Sequence, residues 1–280
     1  VFDPPTAIAE SDRLLVAAIG AARRRLGRSI VVGLCGAQGS GKSTTAARLA
    51  GQLGAAGLPS AVVSLDDFYL TLTQRRALAR AVHPLLVTRG VPGTHDVALA
   101  QATIWALLHA GAGESVAAPL FDKTIDDRAP MADWPIHRGP LAVVLFEGWC
   151  VGAQPQPDAA LAVPINALER DEDPDGRWRR HVNQRLAGDY AELFARLDLK
   201  LLLKAPDFGH VAAWRQQQEA GLRRVAGRSR PAMDAAALAR FIAHYERLTR
   251  HLLDHDWADI TVAIGPDRVP LAHSGPGCVG

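Results

Sequence analysis

The sequence predicts an α/β protein built on an open parallel sheet with helices on both faces, and two observations carry that prediction. Five short apolar runs, residues 29–35, 60–65, 141–146, 199–203 and 260–264, recur along the 280 residues with longer helix-patterned stretches between them, the alternation of a βαβ chain. The first run passes through Gly36-Ala37-Gln38-Gly39-Ser40-Gly41-Lys42-Ser43 into the helix-prone Thr44–Ala50. Such a turn points successive backbone N–H groups at an anion and adds the positive end of a helix to the same place. Composition agrees: 48% apolar residues can fill a core, and 31 basic against 29 acidic residues leave a formal net charge of +2. The charges are scattered, which argues against a nucleic-acid stripe or a membrane-surface patch. No apolar run approaches the ~18 residues of a membrane span. Cys35, Cys150 and Cys278 have no metal-ligand spacing and predict free thiols in a reducing cytoplasm. No shift in composition marks a second domain, so residues 1–280 are expected to form one.

In chain order, Asp12–Leu26 has its apolar residues at helical spacing and ends in Arg23-Arg24-Arg25, favourable charges at a helix C-terminus. It predicts a helix on the sheet. The Gly-rich turn matches GxxxxGK(S/T), in the strand-turn-helix setting that gives the motif meaning. The backbone from Gly36 through Gln38, Gly39, Ser40 and Gly41 to Thr44 is expected to cradle phosphates, with Lys42 reaching the β- and γ-phosphates and the Ser43 hydroxyl ligating Mg2+. Lys42 is one of only four lysines among the 31 basic residues. The helix behind it is expected to stop at Gly54 and Gly57, before a second strand at Ser60–Leu65. That strand ends in Asp66-Asp67-Phe68-Tyr69, on the rim where open parallel sheets hold their ligands.

Residues 70–140 interrupt the alternation. Thr73–Val82 and Val97–Ala110 read as helices. Between them lies Arg89-Gly90-Val91-Pro92-Gly93-Thr94-His95-Asp96, and after them a charged, proline-containing stretch from Pro119 to Pro130. These segments predict an acceptor pocket over the phosphate site. The strand Leu141–Phe146 closes in Glu147, a second strand-end acid. With Asp66 it offers one carboxylate to organise magnesium and one to take a proton. Val151–Pro164 reads as loop and the Arg-rich Asn166–Leu197 as one or two helices broken near Asp173-Pro174-Asp175-Gly176. After the fourth strand, Val211–Val225 predicts a lid helix within 205–228, with Arg215, Gln218, Glu219, Leu222 and Arg223 on or beside one face. A helix at Asp234–Leu253 and the fifth strand follow, and Gly265–Gly280 reads as a loose tail.

These segments together resemble the D-glycerate 3-kinase family, in the P-loop group that includes uridine kinase, phosphoribulokinase and pantothenate kinase. The resemblance runs from the phosphate loop through Ser64–Tyr69, Arg89–Asp96, Phe121-Asp122-Lys123 with Asp126-Asp127-Arg128, Phe146–Trp149, and Trp214-Arg215 with Gln218-Glu219. It implies a P-loop NTPase-type, doubly wound, five-stranded parallel sheet with the phosphate-loop strand central, a lid helix, and Mg-ATP as donor. It further implies that Asp66 is the base and that D-glycerate is the acceptor, giving 3-phosphoglycerate. The expected roles are then Lys42, Asp66 and Arg215 in catalysis, Ser43 and Glu147 at the metal, and Asp67, Tyr69, Arg89, His95, Asp96, Lys123 and Arg128 around the acceptor. A planar guanidinium suits a carboxylate, which singles out Arg89 and Arg128. Two alternatives stand beside this reading: the same chemistry on a nucleoside, a pantothenate-like acid or a sugar phosphate, and an ATPase switch that depends on a protein partner.

Overall fold

The computed structural model describes residues 6–226 and 234–275. In chain order the elements are α1 (Thr6–Leu26), β1 (Ile30–Gly36), α2 (Lys42–Ala55), β2 (Ser60–Ser64), α3 (Leu72–Ala81), α4 (Val97–His109), β3 (Ser115–Ala117), β4 (Phe121–Asp122) and β5 (Asp127–Arg128). There follow β6 (Ile136–Arg138), β7 (Val143–Gly148), α5 (Ala167–Glu172), α6 (Arg177–Ala187), α7 (Asp189–Phe194) and β8 (Leu199–Lys204). The chain continues with α8 (Phe208–Ala226), α9 (Ala235–Asp254), β9 (Ile260–Ile264) and β10 (Pro270–Ser274). Leu222 and Arg223 as side chains, residues 227–228 of the expected lid, and Cys278 with the last of the tail lie outside the described residues.

Among those residues the main sheet has the order β10-β9-β8-β1-β7-β2. The five predicted strands are parallel, with β1 in their middle. Every residue of β1 and of β7 is buried, which is why both read as unbroken apolar runs rather than alternating ones. The pleat sends successive side chains to opposite faces: Val31 and Cys35 join one core and Ile30, Val32 and Leu34 the other. The first core is closed by α4, α7 and α9 through Ile104, Tyr190 and Leu248. The second is closed by α1, α2 and α8 through Ile19, Leu49 and Trp214. Each large aliphatic side chain on β1 contributes about 1.5–3 kcal/mol by leaving water, so the strand that carries the phosphate loop is also among the most firmly held.

Three expectations need correction. The tail is not loose throughout, because Pro270–Ser274 pairs antiparallel with β9 and makes a sixth, edge strand. The Arg-rich stretch forms three short helices rather than one or two. Its arginines hold structure: Arg179 donates to Asp173 Oδ2 at 2.9 Å and to the Leu161 carbonyl at 2.7 Å, both charged groups being buried. Asp173 also accepts from the backbone N–H of Trp178 and Arg179 and so caps α6, the breakpoint that the sequence marks. The insertion, finally, holds two small antiparallel pairs, β3 with β6 and β4 with β5, which the sequence shows only as loops.

Candidate active site

The phosphate loop leaves β1 at Gly36 and enters α2 at Lys42. Gly39 and Gly41 have φ of 79° and 87°, left-handed values that glycine adopts without strain. At Gly39 there is a second reason, since a Cβ there would meet Trp214 Cβ of α8 at 2.6 Å. The helix that follows buries Thr45, Ala46, Leu49 and Leu53, one stripe at helical spacing, which aims its N-terminus at the sheet rim. Ser43 Oγ donates to Glu147 Oε1 at 2.8 Å. Register explains the meeting: Glu147, one residue before the end of β7, lies opposite Leu34 of β1 and Ser64 of β2. Glu147 is 3% exposed and its Oε2 has no partner among the described residues. Nor does the Lys42 side chain make a hydrogen bond or ion pair among them.

Two residues beyond β2, Asp66 lies in a 3-10 turn and donates its own N–H to the capping Ser64 Oγ. Asp66 Oδ1 accepts from the Tyr69 hydroxyl at 2.9 Å, and Oδ2 accepts from Lys123 Nζ at 2.7 Å. Burial alone would raise its pKa, but Lys123 and Lys42 outweigh it and hold the carboxyl well below the usual carboxylate range. Asp67 shifts the other way. Burial raises it to about 6 against the pull of the Phe121 N–H, which Oδ1 accepts at 3.1 Å. Adjacent acids thus shift in opposite directions, each set by its own surroundings.

The structure brings Asp66, Asp67, Tyr69 and Lys123 together, and packs the rest of the predicted acceptor set around them. The Tyr69 ring stacks on His95 with centroids 4.5 Å apart and meets Phe121 edge-on at 5.2 Å. His95 is 2% exposed, its Nδ1 lies 2.6 Å from the Tyr190 hydroxyl, and burial lowers its pKa to about 3. It is a neutral ring beneath Tyr69, and its Nε2 has no partner among the described residues. Asp96 caps α4 through the Leu99 N–H and accepts from Arg128 Nη2 at 3.2 Å. Arg128 also donates to the Tyr69 carbonyl. Arg89 pairs with Asp126 and lies over the Phe121 ring. Arg215 of α8 pairs with Glu219 at 3.3 Å and bonds Gln218, and it lines a small cavity with Gln38 and Tyr245.

Two residues were missed from sequence. Arg75, 1% exposed, donates to the carbonyls of Leu70, Val87 and Asp126 and pairs with the Asp126 carboxylate at 3.1 Å. It pins the β4–β5 hairpin to α3. Arg268, in the β9–β10 turn, donates Nε to the Gly39 carbonyl at 2.6 Å and Nη2 to Gln217 at 3.0 Å, over the ring of Trp214. A cleft of about 220 Å³ opens beside it, lined by Ser40, Gly41, Thr44, Arg48 and Asp267. In sequence Arg75 looks like any polar residue of a surface helix. Arg268 follows the C-terminal end of a parallel strand, and that place on the rim was a usable signal.

A Gly-rich cradle at a helix N-terminus, a lysine facing it, a hydroxyl on a strand-end acid and a second acid across the rim define a phosphoryl-transferring P-loop enzyme. Comparison with known proteins narrows this. The family model for the methylmalonyl-CoA mutase-associated GTPase MeaB matches residues 5–68, a stretch that ends before residues 70–140. The uncharacterized kinase mug58 of Schizosaccharomyces pombe is 34% identical over 232 residues, 78% of this chain and 79% of that protein. The chloroplastic D-glycerate 3-kinase of Arabidopsis thaliana is 31% identical over 248 residues, 86% of this chain and 51% of that protein. The solved D-glycerate 3-kinase from Cryptococcus neoformans shares the fold, with a TM-score of 0.78 at 24% identity over 95% of this chain and 98% of that one. The chain belongs with mug58 to one family of P-loop kinases and is a phosphotransferase, similar in sequence and fold to the D-glycerate 3-kinases.

Proposed function

We propose that this kinase transfers the γ-phosphoryl group of Mg-ATP to a hydroxyl of D-glycerate, giving 3-phosphoglycerate. The observation that carries the reading is Lys123 on Asp66: a cation half exposed to solvent touches the candidate base, on a hairpin framed by Arg89 and Arg128. Such a wall suits a small alcohol that bears a carboxylate. The name of the Arabidopsis relative supports the same acceptor.

The backbone of Gly36–Thr44 and Lys42 hold the phosphates, and the base and ribose occupy the cleft between Arg48 and Arg268. The residues suit magnesium. Glu147 Oε2 is a buried acceptor without a partner, beside a Ser43 hydroxyl, and no cluster of three or more His, Cys, Asp or Glu ligands occurs among the described residues. Ser43 and Glu147 would therefore hold it with phosphate oxygens and water, the usual arrangement for this ion. When bound it neutralises charge growing on the transferring group. Asp66 takes the proton of the attacking hydroxyl, and Arg215 stabilises charge during transfer. Arg89, Lys123 and Arg128 orient the acceptor carboxylate, on a frame made by Asp67, Tyr69, His95 and Asp96. The cytoplasm is the compartment we favour, from the free, buried thiols of Cys35 and Cys150.

Incubation with γ-labelled ATP and a panel of D-glycerate, L-glycerate, uridine, pantothenate and a pentose phosphate tests the acceptor. Label in a phosphoglycerate with D-glycerate alone is the expected result. Label in another member of the panel would reassign the acceptor, and release of inorganic phosphate that no acceptor changes would point to a partner-dependent ATPase.

A further inference from the structure

The cations of the acceptor wall are all engaged by carboxylates, and they differ in how tightly. Arg75 is buried and makes three hydrogen bonds besides its ion pair. Arg89 and Arg128 have side chains 20% and 18% exposed. Lys123 is 51% exposed and makes one contact, the hydrogen bond to Asp66 Oδ2. It follows β4 directly, where Asp122 turns the backbone by accepting from the Thr124 N–H and hydroxyl. Lys123 is thus the cation that can leave its partner without dismantling the wall.

Its partner is the base. With Tyr69 on Oδ1 and Lys123 on Oδ2, each Asp66 oxygen already accepts a donor, and a charge-assisted donor at Oδ2 opposes transfer of a further proton there. We propose that the acceptor switches on its own base: the incoming carboxylate takes Lys123 from Asp66 in an ion-pair exchange, and Asp66 Oδ2 then becomes free for the hydroxyl proton. The inference rests on the acceptor reading above and adds a coupling to it. In the step that follows, the acceptor oxygen bonds to the γ-phosphorus and its proton passes to Asp66 Oδ2. The bond from γ-phosphorus to the bridging oxygen breaks, and ADP leaves with that electron pair. A neutral alcohol, or water, leaves Lys123 where it is. Lys123 thereby discriminates acceptors by turnover as well as by binding, and restrains ATP hydrolysis while the acceptor site is empty.

The test compares the whole protein with Lys123→Met and Lys123→Arg, measuring ADP release from Mg-ATP alone, with glycerol and with D-glycerate. Lys123→Met should raise the rates with ATP alone and with glycerol by about tenfold, since the base loses one charged hydrogen bond of roughly 1.5 kcal/mol. It should raise the KM for D-glycerate by a similar factor. Lys123→Arg keeps the charge and should raise the rates with ATP alone and with glycerol, and the KM for D-glycerate, by less than Lys123→Met does. A higher KM with unchanged basal and glycerol rates would reduce Lys123 to an acceptor ligand, and a fall in every rate would make it a structural support; either overturns the exchange. If no acceptor stimulates the wild-type enzyme the acceptor reading fails separately, while the basal rates of the three proteins still decide whether Lys123 restrains Asp66.

Discussion

The two sides of the proposed active site are built by different means. On the donor side, regular elements deliver the groups: β1 and α2 aim the phosphate loop, and β7 delivers Glu147. Ser43 Oγ bonds Glu147 Oε1, and Oε2 is without a partner among the described residues. On the acceptor side, loops deliver the groups and ion pairs hold the loops, so that Arg89 closes on Asp126, Arg128 on Asp96 and Lys123 on Asp66. A preorganised donor site costs little rearrangement when nucleotide arrives. A self-paired acceptor site must exchange partners, and it can reject ligands that offer no charge in return.

Substitutions at the two proposed catalytic groups, Lys42 on the donor side and Asp66 on the side that faces it, sharpen the contrast most. Lys42→Ala should lower kcat by about 10³-fold or more with little change in acceptor KM, because the group acts on charge developing at the γ-phosphate. Asp66→Asn should cost about 10²- to 10⁴-fold in kcat, the range of general-base catalysis, and steady-state ADP release reads both. A full-rate Asp66→Asn enzyme would remove the base. On the acceptor side Arg89→Ala should mainly raise acceptor KM, by about tenfold for one charged contact. If kcat fell instead, the division between the sides would fail.

Arg75→Met asks whether ion pairs hold the insertion. Loss of a buried guanidinium with three carbonyl partners should cost about 3 kcal/mol of stability, measured as the urea midpoint, with acceptor KM raised and nucleotide affinity unchanged. The smallest effect is on stability against pH. His95 and His244 are held neutral by burial, with pKa lowered to about 3 and about 4 from 6.5. The unfolded chain therefore binds protons that the folded one refuses. Their contribution is intact above pH 6.5 and is lost as pH falls toward 4, at up to roughly 1.4 kcal/mol per pH unit for each ring. Denaturation midpoints at pH 7 and pH 5.5, for the wild type and His95→Phe, should show a shallower acid loss in the variant.

The same contrast decides what could be read from sequence. The donor side was legible because its signals are local: a glycine pattern between an apolar run and a helix, and acids directly after two strands. The five parallel strands were legible for the same reason, being continuous apolar runs. The acceptor side was legible in content and opaque in arrangement. Arg89, Lys123 and Arg128 could be picked as charges in odd loops, but their partners lie 37, 57 and 32 residues away, and no local pattern states such pairings. Arg75 was missed because helical spacing does not reveal a buried guanidinium. Pro270–Ser274 was missed because a short edge strand with three exposed residues has no apolar run to announce it. His95 and Asp96 were picked by motif, and no local pattern states that one stacks under Tyr69 and the other caps α4.

Hydrogen exchange on the whole protein tests the central claim most directly, with a non-hydrolysable ATP analogue and magnesium, then with D-glycerate added. Nucleotide alone should protect residues 36–45 and leave residues 119–130 unchanged, and D-glycerate should then alter exchange across 119–130, where Lys123 changes partner. A hairpin that responds fully to nucleotide alone, or not at all to D-glycerate, would contradict an acceptor side that opens only for its anion.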